Sequence, residues 1–280
     1  MGLFSKNDNN NGYTDLSGMQ YGGYQQNMQG NAYNGNAYNS NPYDQTAYAQ
    51  QAMQGFGGSS MSLSEYTSKV YLQMFIGLAI TFGIGLAAVL NPDTALQLLA
   101  DHVEVFLVLC LVEVVMVFVL GLFIQKLSST AATVLFYAYS VVNGITVAPA
   151  LLLAGLDTAF WALAVTGGIF GLMSLVGAVT KMDVSKWGSV LMFGLIGLLV
   201  YSVIAMIFRI PMSDLIISIV GIILFMGFTI YDTKKIKAFY SSSFGAEAQK
   251  KTVIIAALQL YLDFINLFLY ILRLMSRNRN

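Results

Sequence analysis

A chain of 280 residues that is 56% hydrophobic and 10% charged, with a mean hydropathy of +0.66, is too apolar for a water-soluble domain. Its formal net charge of zero, with no basic block, excludes nucleic acid as a partner. One cysteine, Cys110, and one histidine, His102, exclude an intrachain disulfide, Cys- or His-based metal sites and a His-dependent catalytic dyad within the membrane.

Residues 1–60 are rich in Asn, Gln, Gly and Tyr and nearly devoid of aliphatic side chains, so they are predicted to form a disordered cytoplasmic tail. Tyr33, Tyr38, Tyr43 and Tyr48 recur every five residues. That polar and aromatic composition favours weak self-association, and the simpler alternative is a passive tether. The opening stretch MGLFSKNDNNNGYTD has no apolar run, and no cleavable signal peptide is expected.

The composition changes near Ser60. Ser62 and Glu65 form an S-x-x-E capping box that opens a helix. Seven apolar segments follow, at 70–90, 103–124, 131–154, 160–179, 190–208, 215–230 and 252–275. Most have roughly the 20 residues that a hydrocarbon core of about 30 Å requires. The predicted class is therefore all-α: a polytopic membrane domain over 61–280 with about seven transmembrane helices. Small residues at four-residue spacing, such as Gly167, Gly171 and Ser174, suit close helix contact. Cys110 is expected to be a small buried hydrophobe.

Basic residues set the orientation. Lys6, Lys69, Lys126, Lys181, Lys186, Lys234, Lys235, Lys237, Lys250 and Lys251 fall on one side, which is predicted to be cytoplasmic; Asp93, Asp101, Glu104, Asp157 and Arg209 fall on the other. Seven full crossings then place Arg277 and Arg279 outside, against the same rule. A re-entrant last helix is the alternative.

That last segment carries Gln259, Asp263, Asn266, Tyr270 and Arg273 at helical spacing, one polar stripe on an otherwise apolar helix. An ionisable side chain at membrane depth costs about 2.5 to 3.5 kcal/mol on insertion scales, so the stripe should face protein or water and the helix should lie at the centre of a bundle. Asp263 is placed about 16 Å into its helix at ~1.5 Å per residue. Asp232 is predicted to end the preceding helix near the cytoplasmic face. If that helix extends a turn and the next starts late, the two carboxyls meet. Two carboxylates in a low-dielectric site do not both ionise cheaply and tend to share a proton, which suits a pH sensor; deprotonated, their oxygens suit a transient Ca²⁺. The plainer alternatives are an interfacial acid beside Lys234 and Lys235 for Asp232, and an ion pair for Asp263. Glu113, a third acid at membrane depth, either lines the same cavity or hydrogen bonds to a neighbour such as Asn143 or Tyr139. Gln259 and Asn266 are expected to cross-link helices, or else to line a hydrated path, and Arg273 to snorkel to the interface. An intramembrane aspartyl protease is the weaker chemical reading: Tyr231 and Asp232 imitate half of such a signature, but Asp263 sits in LYLDF without the flanking glycines that let substrate backbone approach.

FTIYDTKKIK (228–237), ALQLYLDFINLFLYILRL (257–274), TKMDVSKWGSVLMFGLIGLL (180–199), YSVVNGITVAPALL (139–152) and LVEVVMVFVLG (111–121) together resemble the transmembrane Bax inhibitor motif family, in order over about 62–277. The resemblance implies seven helices, the last wrapped by two three-helix layers, and a pH-sensitive calcium leak whose sensor is the pair at Asp232 and Asp263. It also implies, for some bacterial relatives, a basic latch on the second helix; here only Lys126 is near, at the cytoplasmic end. Lys234, where relatives often carry Gln, is expected to favour the ionised form of Asp232.

The expected function is a non-enzymatic calcium leak, channel or exchanger, working on Ca²⁺ and protons in a lipid bilayer without a resident cofactor. The alternative is a non-conducting regulator that binds a membrane-protein partner such as a protease, channel or cell-death protein. A bacterial plasma membrane is the favoured location, with endoplasmic reticulum or Golgi membrane if the source is eukaryotic.

Overall fold

Ser62 caps the first membrane helix as its sequence suggests: its Oγ accepts the Glu65 backbone N–H at 3.2 Å. The reciprocal half of the capping box is not made, because Glu65 pairs with Lys69 at 2.8 Å one turn on. The computed structural model describes residues 61–277 apart from 185, 209–213 and 243–244, together with 13–14 and 20–21. In the N-terminal unit, Met1–Gln51, β1 (Tyr13–Thr14) pairs antiparallel with β2 (Gln20–Tyr21), Tyr13 opposite Tyr21. The predicted disorder of the rest of the tail, its tyrosine repeat included, lies outside the described residues.

The second unit, Ala52–Asn280, is helical. Its helices are α1 (Leu63–Leu90), α2 (Pro92–Asp101), α3 (Val103–Phe123), α4 (Ser129–Ala154), α5 (Leu156–Val179), α6 (Trp187–Phe208), α7 (Asp214–Ser242) and α8 (Ala246–Arg277). Six are long and apolar enough to cross a membrane, and α6 adds a shorter apolar stretch, Trp187–Ser202, among the described residues. The short α2 was not expected. Asn91, Pro92 and Asp93 explain it: Pro stands in the first turn, where its missing N–H costs nothing, and an acid sits at the positive helix end. His102 joins α2 to α3.

Helix α8 is the axis. On one side it packs against α1 and α4, with α3 outside α4; on the other it packs against α5 and α7, with α6 outside α7. These are the two three-helix layers. Leu260, Tyr261, Leu267 and Phe268 of α8 have no exposed surface. Phe268 meets Phe82 of α1 edge-on at 4.9 Å, and Phe264 meets Phe170 of α5 at 5.3 Å. Helix α8 is unbroken over 32 residues, about 48 Å at 1.5 Å per residue, longer than a hydrocarbon core of about 30 Å.

Close helix approach occurs at Gly177 and Gly144, and not at Gly167 or Gly171. A Cβ on Gly177 of α5 would lie 2.6 Å from the Ile230 carbonyl oxygen of α7, and one on Gly144 of α4 2.9 Å from the Thr81 carbonyl oxygen of α1. Gly167 and Gly171 have nothing within 4 Å of that position; only Ser174 of that series is buried, accepting from Thr233 at 3.3 Å. Cys110 is half-buried on α3 rather than enclosed.

The start of α8 ties the starts of α1 and α4 together. Glu247 accepts the Ser129 backbone N–H at 2.7 Å and its hydroxyl at 2.9 Å, and Gln249 accepts the Met61 N–H at 2.8 Å. Lys251 donates to the Gln125 carbonyl at 3.3 Å.

Candidate functional site

Asp263 sits midway along α8, only 4% exposed, and its Oδ2 is buried without a hydrogen-bond partner. Asp232 lies on α7 and is 8% exposed. It does not end its helix, as the hydropathy break suggested. Helix α7 continues to Ser242 through Lys234, Lys235 and Lys237, residues with good helix propensity, so the helix outlasts its apolar segment. The next helix starts early rather than late, at Ala246. Even so, both aspartates line one cavity of about 390 Å³, and Glu113 of α3 lines it too. Gln259 and Asn266 of α8, Tyr139 of α4, and Phe225 and Phe228 of α7 complete much of its wall. Three carboxyls from three helices therefore open on one space at membrane depth.

No Lys or Arg lines this cavity among the described residues. Lys234 donates to the Met182 carbonyl in the connection after α5, and Lys235 lies over the rings of Tyr231 and Phe239 at 5.5 and 5.0 Å. Lys234 is thus directed away from the role expected of it beside Asp232. Lys126 sits over the Phe123 ring at 5.4 Å, outside the cavity wall. Asp232 is nonetheless buried and Asp263 Oδ2 has no partner, features that the two plainer alternatives do not call for.

Glu113 does both things considered for it. Besides lining the cavity, its Oε1 accepts from Asn143 Nδ2 at 3.1 Å and from the Thr146 hydroxyl at 2.7 Å. The Asn143 amide is oriented in turn by the Tyr261 hydroxyl, which donates to its Oδ1 at 2.9 Å. Tyr261 also meets the Thr81 hydroxyl at 2.5 Å, and Thr81 donates to the Ser140 carbonyl at 2.8 Å. This network joins α1, α3, α4 and α8. Sequence reasoning found Asn143 but not Thr81, Thr146 or Tyr261, although Ser140, Asn143 and Thr146 recur every three residues in an apolar segment, a readable polar face.

The stripe on α8 divides. Gln259, Asp263 and Asn266 line the acid cavity; Asn266, Tyr270 and Arg273 line a second, larger one of about 1020 Å³ toward the C-terminal end. Gln259 and Asn266 are not cross-links. Gln259 Oε1 is buried without a partner, and Asn266 donates to the Leu262 carbonyl of its own helix at 2.7 Å. Both side chains line the acid cavity. Arg273 is exposed near the end of α8, where snorkelling was expected.

The family described as inhibitor of apoptosis-promoting Bax1 matches residues 63–280. An Escherichia coli K12 protein named inner membrane protein YbhL is 35% identical over 220 residues, 78% of this chain and 93% of that one. A Deinococcus radiodurans protein is 35% identical over 209 residues, 75% of this chain and 89% of its own. One from Borreliella burgdorferi is 33% identical over 218 residues, 78% and 94% of the two chains. With the match spanning every membrane helix, this polytopic membrane protein belongs to the Bax inhibitor family.

Proposed function

We propose that the protein is a proton-sensitive calcium leak, channel or exchanger, of a bacterial plasma membrane, and that Asp232, Asp263 and Glu113 form its ion path. The observation that carries this is the shared cavity: two buried carboxyls and the half-buried Glu113, with no cation in its wall among the described residues and one carboxylate oxygen unsatisfied. Acids are costly at this depth and face protein or water-filled space, where they mark ion and proton pathways. Carboxylate oxygens are hard ligands suited to Ca²⁺ and compete for protons with it. Among the described residues, no three such groups come close enough together to hold a metal ion. In this reading Ca²⁺ is the cargo, met by one or two carboxylates and water at a time. No residue is given a catalytic role.

The test is calcium flux into liposomes reconstituted with the purified chain, read from about pH 5 to about pH 8, the range in which a carboxyl pair sharing a proton can titrate. Flux above protein-free liposomes that varies with pH is the expected result. Its absence in correctly inserted protein removes the leak and leaves a non-conducting regulator. Orientation is checked by cysteine labelling: a cysteine at Lys235 should react from the cytoplasmic side and one at Asp157 from the opposite side.

A further inference from the structure

Two oxygens on the acid-cavity side of α8 are buried and hold no hydrogen bond. Asp263 Oδ2 is one; Gln259 Oε1, four residues earlier, is the other. Both residues line the cavity, and Asp263 is only 4% exposed. Residues four apart on a helix are neighbours on one face, so the two acceptors stand one turn from each other. Two acceptors do not satisfy each other. Each orphan oxygen has lost its hydration, a cost that only a donor or a cation removes.

The surroundings choose between those two. The polar groups that face the cavity from the other elements are Glu113 of α3, Tyr139 of α4 and Asp232 of α7, and α8 itself adds Asn266. Glu113 already accepts from Asn143 and Thr146, and Asn266 gives an N–H to its own helix at Leu262. Among the described residues no Lys, Arg or His lines the wall. A wall of three carboxyls and so few donors favours a cation. Among the same residues no three acids come close enough together to hold a metal ion, so carboxylates alone do not make a coordination shell. An amide oxygen is a neutral ligand that Ca²⁺ accepts beside carboxylates and water.

We propose that Gln259 Oε1, together with Asp263 Oδ2, is a direct ligand of the calcium ion in this cavity and sets its preference for Ca²⁺ over Mg²⁺. This role rests on the calcium reading above and adds to it a ligand outside the carboxyl set. Ca²⁺ takes many protein oxygens in flexible geometry, whereas Mg²⁺ dehydrates reluctantly and keeps its waters, so losing one protein oxygen penalises Ca²⁺ more.

Equilibrium dialysis of the full-length protein in detergent against radioactive Ca²⁺ tests it, with Mg²⁺ as competitor, at about pH 8, the alkaline end of the flux range. Wild-type protein should bind Ca²⁺ saturably. Gln259→Met, which keeps an unbranched chain and removes the oxygen, should raise the half-saturating Ca²⁺ about tenfold, the scale of one contact to a charged group, and should blunt the preference over Mg²⁺. Gln259→Glu, which restores an oxygen, should bind at least as tightly as wild type. Unfolding midpoints without Ca²⁺ separate these effects from misfolding. An amide that instead donated to Asp263 predicts the reverse, because Gln259→Met would free the carboxylate and tighten binding. Unchanged or tighter Ca²⁺ binding in Gln259→Met overturns the proposal, as does the absence of saturable binding in wild-type protein. Binding that depends on Gln259 in a protein that carries no flux keeps the ligand and overturns the leak; flux with binding unchanged in Gln259→Met keeps the leak and overturns the ligand.

Discussion

Helices α3 and α8 each carry an acid of the candidate site, and their surroundings are opposite. In the most apolar window of α8, 67% of residues are buried; in that of α3, 6% are, and Leu120 is its only buried residue. Yet α3 is the more hydrophobic of the two, with a mean hydropathy of 3.0 against 1.9. In a bilayer the apolar surface does not report the core, because lipid is as apolar as leucine. Burial instead follows the polar residues, which must face protein. The stripe on α8 marks the centre of the bundle, and the lone Glu113 marks the one polar tie of α3, through Asn143 and Thr146 of α4.

The contrast predicts how the two helices respond to truncation. Phe268→Ala on α8 should cost about 3–5 kcal/mol, since it empties the position against Phe82. Phe118→Ala on α3 should cost less than about 1 kcal/mol, because Phe118 is 59% exposed and lipid takes its place. Unfolding midpoints in detergent micelles measure both, and similar losses would break the comparison.

A smaller effect sharpens it. Tyr261→Phe keeps the ring between Phe136 and Tyr139 but removes the hydroxyl that serves Asn143 and Thr81. A loss of about 1–2 kcal/mol is expected, the scale of a buried polar group left unpaired. Combining it with Thr146→Val should give a non-additive loss, because both substitutions act through the group that positions Glu113. Strict additivity would mean that the network is not one unit.

The smallest effect is expected at Glu65→Gln, which removes an exposed pair with Lys69 at the start of α1. It should change stability by about 0.5 kcal/mol or less and leave the pH dependence of calcium flux where it was. A shifted pH profile in this variant would place the sensor outside the cavity.

Much of the site was legible because a polar side chain in an apolar helix has few places to go. Gln259, Asp263, Asn266, Tyr270 and Arg273 announce a face by spacing alone, and Glu113 announces itself by depth, whereas Asp232 reads as the end of its helix. Helix ends were not legible: hydropathy stops at the membrane boundary while Lys234, Lys235 and Lys237 carry α7 onward, and 246–251 begin α8 before its apolar run. Nor were the real close contacts, since Gly167 and Gly177 read alike in sequence and only the neighbouring helix decides which meets a backbone. The split of the stripe between the acid cavity and a second cavity at its C-terminal end was also invisible, because it depends on α4 ending and α5 beginning at the cavity that Arg273 lines.

The proton-sensitive role of the aspartates is tested most directly by calcium flux through reconstituted Asp232→Asn, Asp263→Asn and double-variant proteins across the same pH range. If the two carboxyls act as one sensor, each single variant should flatten the pH dependence, and the double variant should add little to either, as groups working together do. Single variants that both retain the wild-type pH midpoint would contradict the assignment and leave Glu113 as the remaining acid of the cavity.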